Sequence, residues 1–398
     1  MIEAKSPAFW RATLALCCGS FMIFSNLYVT QPLLPEFQLA FSISTLQANA
    51  SLAVATLMLG VSLLIYGPLS DALGRRAIML VTMTGTLITT FALAWVPNYT
   101  SLLILRALQG FLLGGLPAVA IAYMGDEFSK KAMALAVGIY ISANTLGGIS
   151  GRLFSGFLAD AFNWRASFLG AAIVSMVCLS FFWWALPKSK NFLPQKLSPA
   201  KMLTDLFTHL KNPLLLLVYI LGGLNFFIFI NQYSYVTYLL SAEPWLLSSS
   251  FLGMLFITYL TGTWAASISG RIALFLAQPL CMAVGVCILI LGSLIMLIPS
   301  VWAIIGGLLI NSFGFFFCHS NITSWVSRQA QTARASASAL YLVFYYMGAS
   351  TGGFYLDPFW KALHWPGVIL GSLLVLLITL GISLWLWKQD PRTLNELT

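Results

Sequence analysis

The chain has 398 residues, of which 59% are hydrophobic, 14% aromatic and only 8% charged, with 20 lysines and arginines against 11 acids for a net charge of +9. A water-soluble fold of this length could not clothe so much apolar side chain with so few charges, so a soluble globular protein is excluded. The positive balance points to no nucleic acid, because the basic residues fall in short segments between apolar runs, where they report membrane orientation.

Apolar stretches of about 20 residues are long enough to cross a bilayer. In chain order they fall at 12–34, 46–68, 77–96, 101–124, 132–156, 165–186, 213–237, 246–268, 273–297, 301–324, 335–357 and 366–387. These twelve spans predict an all-α polytopic membrane protein with the lipid bilayer as its solvent. The first run lacks a small-residue cleavage site and is followed by many more, so it reads as a span and not a cleaved signal. Between the second and third runs lies a polar hinge, Gly67-Pro68-Leu69-Ser70-Asp71-Ala72-Leu73-Gly74-Arg75-Arg76.

The fourth run contains Arg106-Ala107-Leu108-Gln109-Gly110, followed by Gly114, Gly115 and Pro117. Arg106 enters roughly 9 Å deep at 1.5 Å per residue. A charge at that depth faces a cavity or a protein partner, or it holds backbone carbonyls of span 1. The fifth run carries Gly138, Gly147, Gly148 and Gly151, small residues that let a neighbouring helix pack closely. The one long connection, 187–212, holds Lys188, Lys190, Lys196, Lys201 and Lys211. At the eighth-to-ninth junction only Gly270-Arg271 interrupts the apolar sequence. The cysteines Cys17, Cys18, Cys178, Cys281, Cys287 and Cys318 all lie in apolar runs without metal-ligand spacing and read as packing residues.

Charge asymmetry predicts the topology. With the N-terminus inside, the cytoplasmic set is Lys5, Arg11, Arg75, Arg76, Lys130, Lys131, the five connection lysines, Arg271, Arg328, Arg334, Lys388 and Arg392. Arg152, Arg165 and Lys361 fall near the other face. This distribution predicts both termini in the cytoplasm and an even number of spans.

A shift of 205 residues lays Phe24-Ser25-Asn26-Leu27-Tyr28 on Phe229-Ile230-Asn231-Gln232-Tyr233, Gly147-Gly148 on Gly352-Gly353 and Arg106 on Asn311. Two six-span halves follow: an N-terminal six-helix bundle at 1–186, a basic cytoplasmic linker at 187–212 and a C-terminal six-helix bundle at 213–398.

Twelve spans, the repeat, the basic middle connection and the hinge together resemble the major facilitator superfamily over essentially the whole chain. The hinge matches that superfamily's loop 2–3 motif at Gly67, Leu69, Asp71, Gly74, Arg75 and Arg76. Gly67 would let helices approach, Gly74 would permit a turn, the arginines would anchor at headgroups, and Asp71 would face a helix N-terminus of the opposite bundle. The glycines of span 5 resemble an antiporter-type motif, but Ala143-Asn144 stands where that motif has Gly-Pro, so antiport is not carried over with it. The stretch from Gly138 to Arg165 is similar to the acriflavine-sensitivity group of bacterial inner-membrane permeases.

The resemblance implies the major-facilitator fold of two pseudo-symmetric bundles, a multi-pass protein of the bacterial inner membrane, and a midplane substrate site lined by spans 1, 4, 7 and 10. The substrate-binding candidates on those spans are Asn26, Arg106, Gln109, Asn225, Asn231, Gln232, Asn311 and His319. For each amide, interhelical hydrogen bonding is as good a reading as ligand contact. Asn26 and Tyr28, two residues apart, point to nearly opposite sides of a helix, whereas Arg106 and Gln109 share one, as do Asn225 and Gln232. Phe226, Phe227, Phe229, Phe315, Phe316, Phe317, Tyr345 and Tyr346 supply aromatic walls suited to an amphipathic organic molecule, and Arg106 would suit one bearing a carboxylate. Glu36, Asp160, Glu243 and Asp357 lie near the outer face, and Asp71, Asp126 and Glu127 near the inner one. His319 is the intramembrane group that changes charge near neutral pH.

The expectation is therefore a monomeric secondary transporter exporting small amphipathic compounds with protons as coupling ion, by alternating access. An importer or facilitator of an organic anion or siderophore-like metabolite, and a transporter-like sensor without flux, are the alternatives. The sequence shows no nucleophile–base pair, phosphate loop or metal cluster, so no enzyme, cofactor or metal is expected.

Overall fold

Buried in lipid, backbone N–H and C=O groups find no water and must pair within their own segment, so apolar runs of this length become helices. The computed structural model describes residues 1–192, 194, 199–330 and 333–389. Lys196 and Arg392 lie outside the described residues, as do the side chains of Lys201 and Arg334.

The helices in chain order are α1 (Pro7–Tyr28), α2 (Leu34–Phe41), α3 (Thr45–Leu73), α4 (Arg75–Leu93), α5 (Tyr99–Leu113), α6 (Gly115–Glu127), α7 (Lys130–Ala161), α8 (Trp164–Ala185), α9 (Pro199–Leu210), α10 (Pro213–Ser241), α11 (Ser249–Met254), α12 (Tyr259–Ile272), α13 (Gln278–Ile295), α14 (Val301–Gln329) and α15 (Arg334–Lys388). Many begin on a side chain that accepts orphan amides of the first turn. Ser44 and Gln47 form a reciprocal capping box on α3, and Asn98, Asn163 and Asn212 cap α5, α8 and α10.

Among the described residues, 11 helical stretches are long and apolar enough to cross a membrane, the last being Ser336–Lys388 with 53 residues. At 1.5 Å per residue a straight helix of that length would reach about 80 Å, well beyond a bilayer core of about 30 Å. It is bent at His364, whose φ is 51°, just before Pro366. The Tyr355 hydroxyl donates to the Gly371 carbonyl at 3.2 Å, although a straight helix would hold residues so spaced about 24 Å apart. The chain therefore doubles back at His364 and α15 makes two passes, which completes the expected twelve.

Span 4 is divided between α5 and α6. Pro117 has no N–H for the Leu113 carbonyl, and its ring crowds that turn, so the regular helix stops at Leu113. The eighth-to-ninth junction is a real turn between Ile272 and Gln278, although its Leu274 and Phe275 are exposed. Large apolar side chains cover the helix flanks, among them Ile88, Phe154, Val177 and Ile378. A surface of this kind belongs in lipid. Exposed tryptophans mark span ends: Trp95 just past α4, Trp183 and Trp184 at the end of α8, and Trp302 at the start of α14.

The chain divides into two compact units, Met1–Ser198 with Leu247–Met254, and Pro199–Leu246 with Leu255–Thr398. Each repeats one piece of packing. In the first, added side chains on Gly147 and Gly151 would strike the backbone of Phe21 and Ser25 on α1. In the second, Gly348 and Gly352 stand in the same way against Gly223 and Phe227 on α10. Small residues at matching positions thus let the first span of each unit touch the fifth, backbone to backbone. Helix α7 runs without a break through Ala143-Asn144, and the Asn144 side chain accepts a hydrogen bond from Ser20 of α1. Two of the glycine expectations are corrected: Gly67 and Gly138 have nothing within 4 Å of an added side chain, so neither serves close packing here.

Candidate functional site

The polar candidates of the first unit converge on one network. Arg106 is fully buried. Its Nε donates to the Ser51 carbonyl at 3.1 Å, its Nη1 to the Asn26 carbonyl at 2.9 Å and to Gln109 Oε1, and its Nη2 to the Leu27 carbonyl at 2.7 Å. Gln109 Nε2 donates to the Thr90 hydroxyl at 2.7 Å, and Thr90 donates to Asn26 Oδ1 at 2.6 Å. Asn26 Nδ2 reaches the Ser175 hydroxyl and the Met22 carbonyl, both at 2.8 Å. Five helices, α1, α3, α4, α5 and α8, are tied together in this way. All three nitrogens of the guanidinium are engaged with the bundle's own oxygens, so the geometry favours a structural staple over a contact for a substrate carboxylate.

The second unit holds a counterpart. Asn311 Nδ2 donates to Gln232 Oε1 at 3.0 Å and lies 3.3 Å from the Ser293 hydroxyl, and Gln232 Nε2 donates to Ser293 at 3.0 Å. The shift of 205 that aligns Arg106 with Asn311 also aligns Leu27 with Gln232. Each fourth-span side chain therefore bonds to the corresponding position of its unit's first span. The remaining amides serve similarly: Asn225 Nδ2 lies 3.3 Å from Cys318 Sγ, and Asn231 donates to the carbonyls of Phe227 at 2.9 Å and Ala349 at 3.0 Å.

Most of the aromatic candidates gather around His319. Phe226 stacks on Tyr345 with centroids 3.7 Å apart, and Phe229 on Phe315 at 4.0 Å. His319 lies nearly parallel to Phe315 at 5.8 Å and 4.9 Å from Tyr345, and the Tyr341 hydroxyl is 2.6 Å from its Nδ1. Phe316 and Tyr346 complete the group. Two expected members stand apart: Phe227 packs on Tyr355, and Phe317 on Phe313. His319, Phe316 and Tyr345 are only half-buried, whereas Asn26, Arg106, Gln109, Gln232 and Asn311 are sealed.

The hinge is tighter than its sequence suggests. Helix α3 continues through Gly67 and Pro68 to Leu73, and α4 begins at Arg75, so Gly74 alone makes the turn. Its φ is 102°, a value that favours glycine. Arg75 pairs with Asp71, donates to the Ser70 hydroxyl at 2.8 Å and reaches Asp126 of α6 at 3.0 Å. Asp71 is thus engaged within its own unit. Arg76 caps the end of α8 through the carbonyls of Trp183 at 2.7 Å and Leu186 at 3.2 Å. Glu127 accepts the amides of Lys190 at 2.7 Å and Asn191 at 3.0 Å, fixing the start of the basic connection.

Sequence reasoning did not single out Thr90, Ser175, Ser293 or Tyr341 as partners, because hydroxyls in apolar runs carry no signal of direction. It also placed Arg152 near the outer face. That arginine is fully buried, lies 3.8 Å from the Tyr28 ring and donates to Gln31 Oε1 at 2.9 Å. Tyr28 and Asn26 do point to different partners, as their spacing requires.

A family model described as Major Facilitator Superfamily matches residues 16–353. The chain belongs to the major facilitator superfamily. It is a multi-pass membrane protein and a secondary transporter, not an enzyme. The "Uncharacterized MFS-type transporter YybF" of Bacillus subtilis is 34% identical, over 99% of this chain and 98% of its own length. The "Inner membrane transport protein YnfM" of Escherichia coli is also 34% identical, over 96% of this chain and 91% of its own. Among solved structures, a peptide transporter superposes with a TM-score of 0.77 at 15% identity, covering 95% of each chain, a likeness of fold.

Proposed function

We propose that this transporter exports small amphipathic organic compounds that carry a ring, by alternating access and with protons as coupling ion. One observation carries this reading: the aromatic residues Phe316, Tyr345 and His319 are only half-buried, whereas the amides Asn26, Gln109, Gln232 and Asn311 are sealed. Partly accessible rings of this kind bind flat apolar bodies by offset or edge-to-face stacking, worth about 0.5–1.5 kcal/mol per pair beyond area burial. A sugar would need free carboxylates, and Asp71, Asp126 and Glu127 are engaged with protein. The carboxylate-bearing substrate suggested by Arg106 loses support, since that arginine is occupied by carbonyls.

The test is flux in proteoliposomes carrying a pH gradient, with fluorescent cationic, neutral and anionic ring compounds. Gradient-driven movement of an aromatic compound against its own gradient supports export. Accumulation of an organic anion in the other direction would make the protein an importer, and saturable binding without flux would make it a sensor.

His319→Ala is expected to flatten the dependence of transport on pH, because histidine is the side chain whose charge changes most readily near neutrality. The comparison is Tyr345→Ala, which should weaken binding by about tenfold through lost stacking and leave the pH profile unchanged. An unaltered profile in His319→Ala would retire the histidine as proton carrier.

We also propose a bacterial inner-membrane location, a monomer, and both termini in the cytoplasm. Impermeant thiol labelling of intact cells should reach a cysteine introduced within 239–245 and spare one introduced within 190–200. Labelling of the second from outside would reverse the orientation.

A further inference from the structure

Helix α9 has an apolar arc wider than the protein covers. Leu206 and His209 are buried, and His209 Nε2 lies 3.2 Å from the Ala333 carbonyl, which seats one edge of the helix at the start of α15. Leu203 and Phe207, one turn apart on the adjoining edge, are 50% and 59% exposed. Thr204 and Thr208 occupy the far side and are exposed. Only Lys211 and Asn212 separate α9 from α10, a membrane span that begins at Pro213. Two residues reach about 7 Å at most, so the end of α9 cannot leave the membrane surface. The connection 187–212 carries five lysines against one acid, Asp205. Lys201 lies in the first turn of α9 and Lys211 directly follows its last residue.

We propose that α9 is an interfacial helix that binds the anionic phospholipid leaflet on its own side of the membrane. Leu203 and Phe207 enter the boundary between headgroups and acyl chains, and Lys211 stays among the headgroup phosphates. Either feature alone would bind weakly; a short apolar edge and a basic segment act together.

The test is hydrogen–deuterium exchange on the full-length protein in nanodiscs of phosphatidylcholine with and without phosphatidylglycerol. Amides within 200–210 should exchange roughly tenfold more slowly in the anionic discs, and high salt should remove the difference. The double variant Leu203→Ser with Phe207→Ser should lose the protection while α10 and α13 keep theirs, showing an intact fold. Equal exchange of the wild type in both lipids would overturn the proposal, as would a double variant that stays protected. A drop in oligomeric mass in the double variant would also overturn it, because the edge would then be a contact between copies.

Discussion

Arg106→Ala is expected to lower the stability of the purified transporter by on the order of 3–5 kcal/mol, because several buried carbonyls lose a charged donor together. The guanidinium bridges carbonyls of α1 and α3 and the side chain of Gln109 in one plane. Lysine at this position should recover little, since a single ammonium cannot reach the same acceptors in that geometry. Asn311→Ala, at the matching position of the other unit, should cost only about 1 kcal/mol, the usual scale for a neutral interhelical hydrogen bond in a membrane protein. Thermal unfolding in detergent compares the three variants. A substrate affinity that falls while the melting temperature stays at the wild-type value would show that Arg106 contacts substrate after all.

Asp71→Asn should reduce transport by about tenfold or more while insertion and melting temperature stay close to wild type. The ion pairs of Arg75 with Asp71 and Asp126 are partly open to water, so each contributes only about 0.2–1 kcal/mol to stability. Their geometry matters more. Arg75 sits at the first position of α4 and holds both the end of α3 and the end of α6, so the turn at Gly74 cannot open without breaking the pairs. In the alternating-access cycle proposed above, loss of one of these charges would shift the balance between its states. Asp126→Asn should behave alike, and exchanging the charges of Arg75 and Asp126 should restore part of the flux. Normal transport by Asp71→Asn would reduce the motif to a turn.

The sequence was most legible where the bilayer itself imposes the rule. Apolar length set the spans, because hydrocarbon admits only internally bonded backbone. Even the break between the last two passes was readable from the polar residues between 357 and 366, although the helix is interrupted only at His364. The repeat at 205 residues was visible because close helix contact tolerates only small residues, and Gly147 and Gly352 mark it in both units.

Side-chain direction was harder to read. Asn26 and Gln109 were recognisable as intramembrane polar groups, yet they found partners on α4 and α8, where Thr90 and Ser175 look like ordinary members of apolar runs. Whether a polar side chain in lipid contacts a ligand or a neighbouring helix depends on which acceptors stand within about 3 Å, and spacing along one helix does not carry that information. Gly67 and Gly138 show the same limit from the other side, since a glycine reads as a contact point in sequence while its neighbour is set by packing.

By itself, then, the sequence determined the membrane class, the number of passes, the repeat and the residues of the hinge motif, all of which follow from local composition and period. Only the tertiary structure decided that Arg106 is spent on carbonyls, that Arg75 links two carboxylates across α3 and α6, and that His319, Phe316 and Tyr345 are half-buried while Asn26, Gln109, Gln232 and Asn311 are sealed. Those outcomes depend on distances between segments far apart in the chain, which are fixed by how the helices of each unit pack.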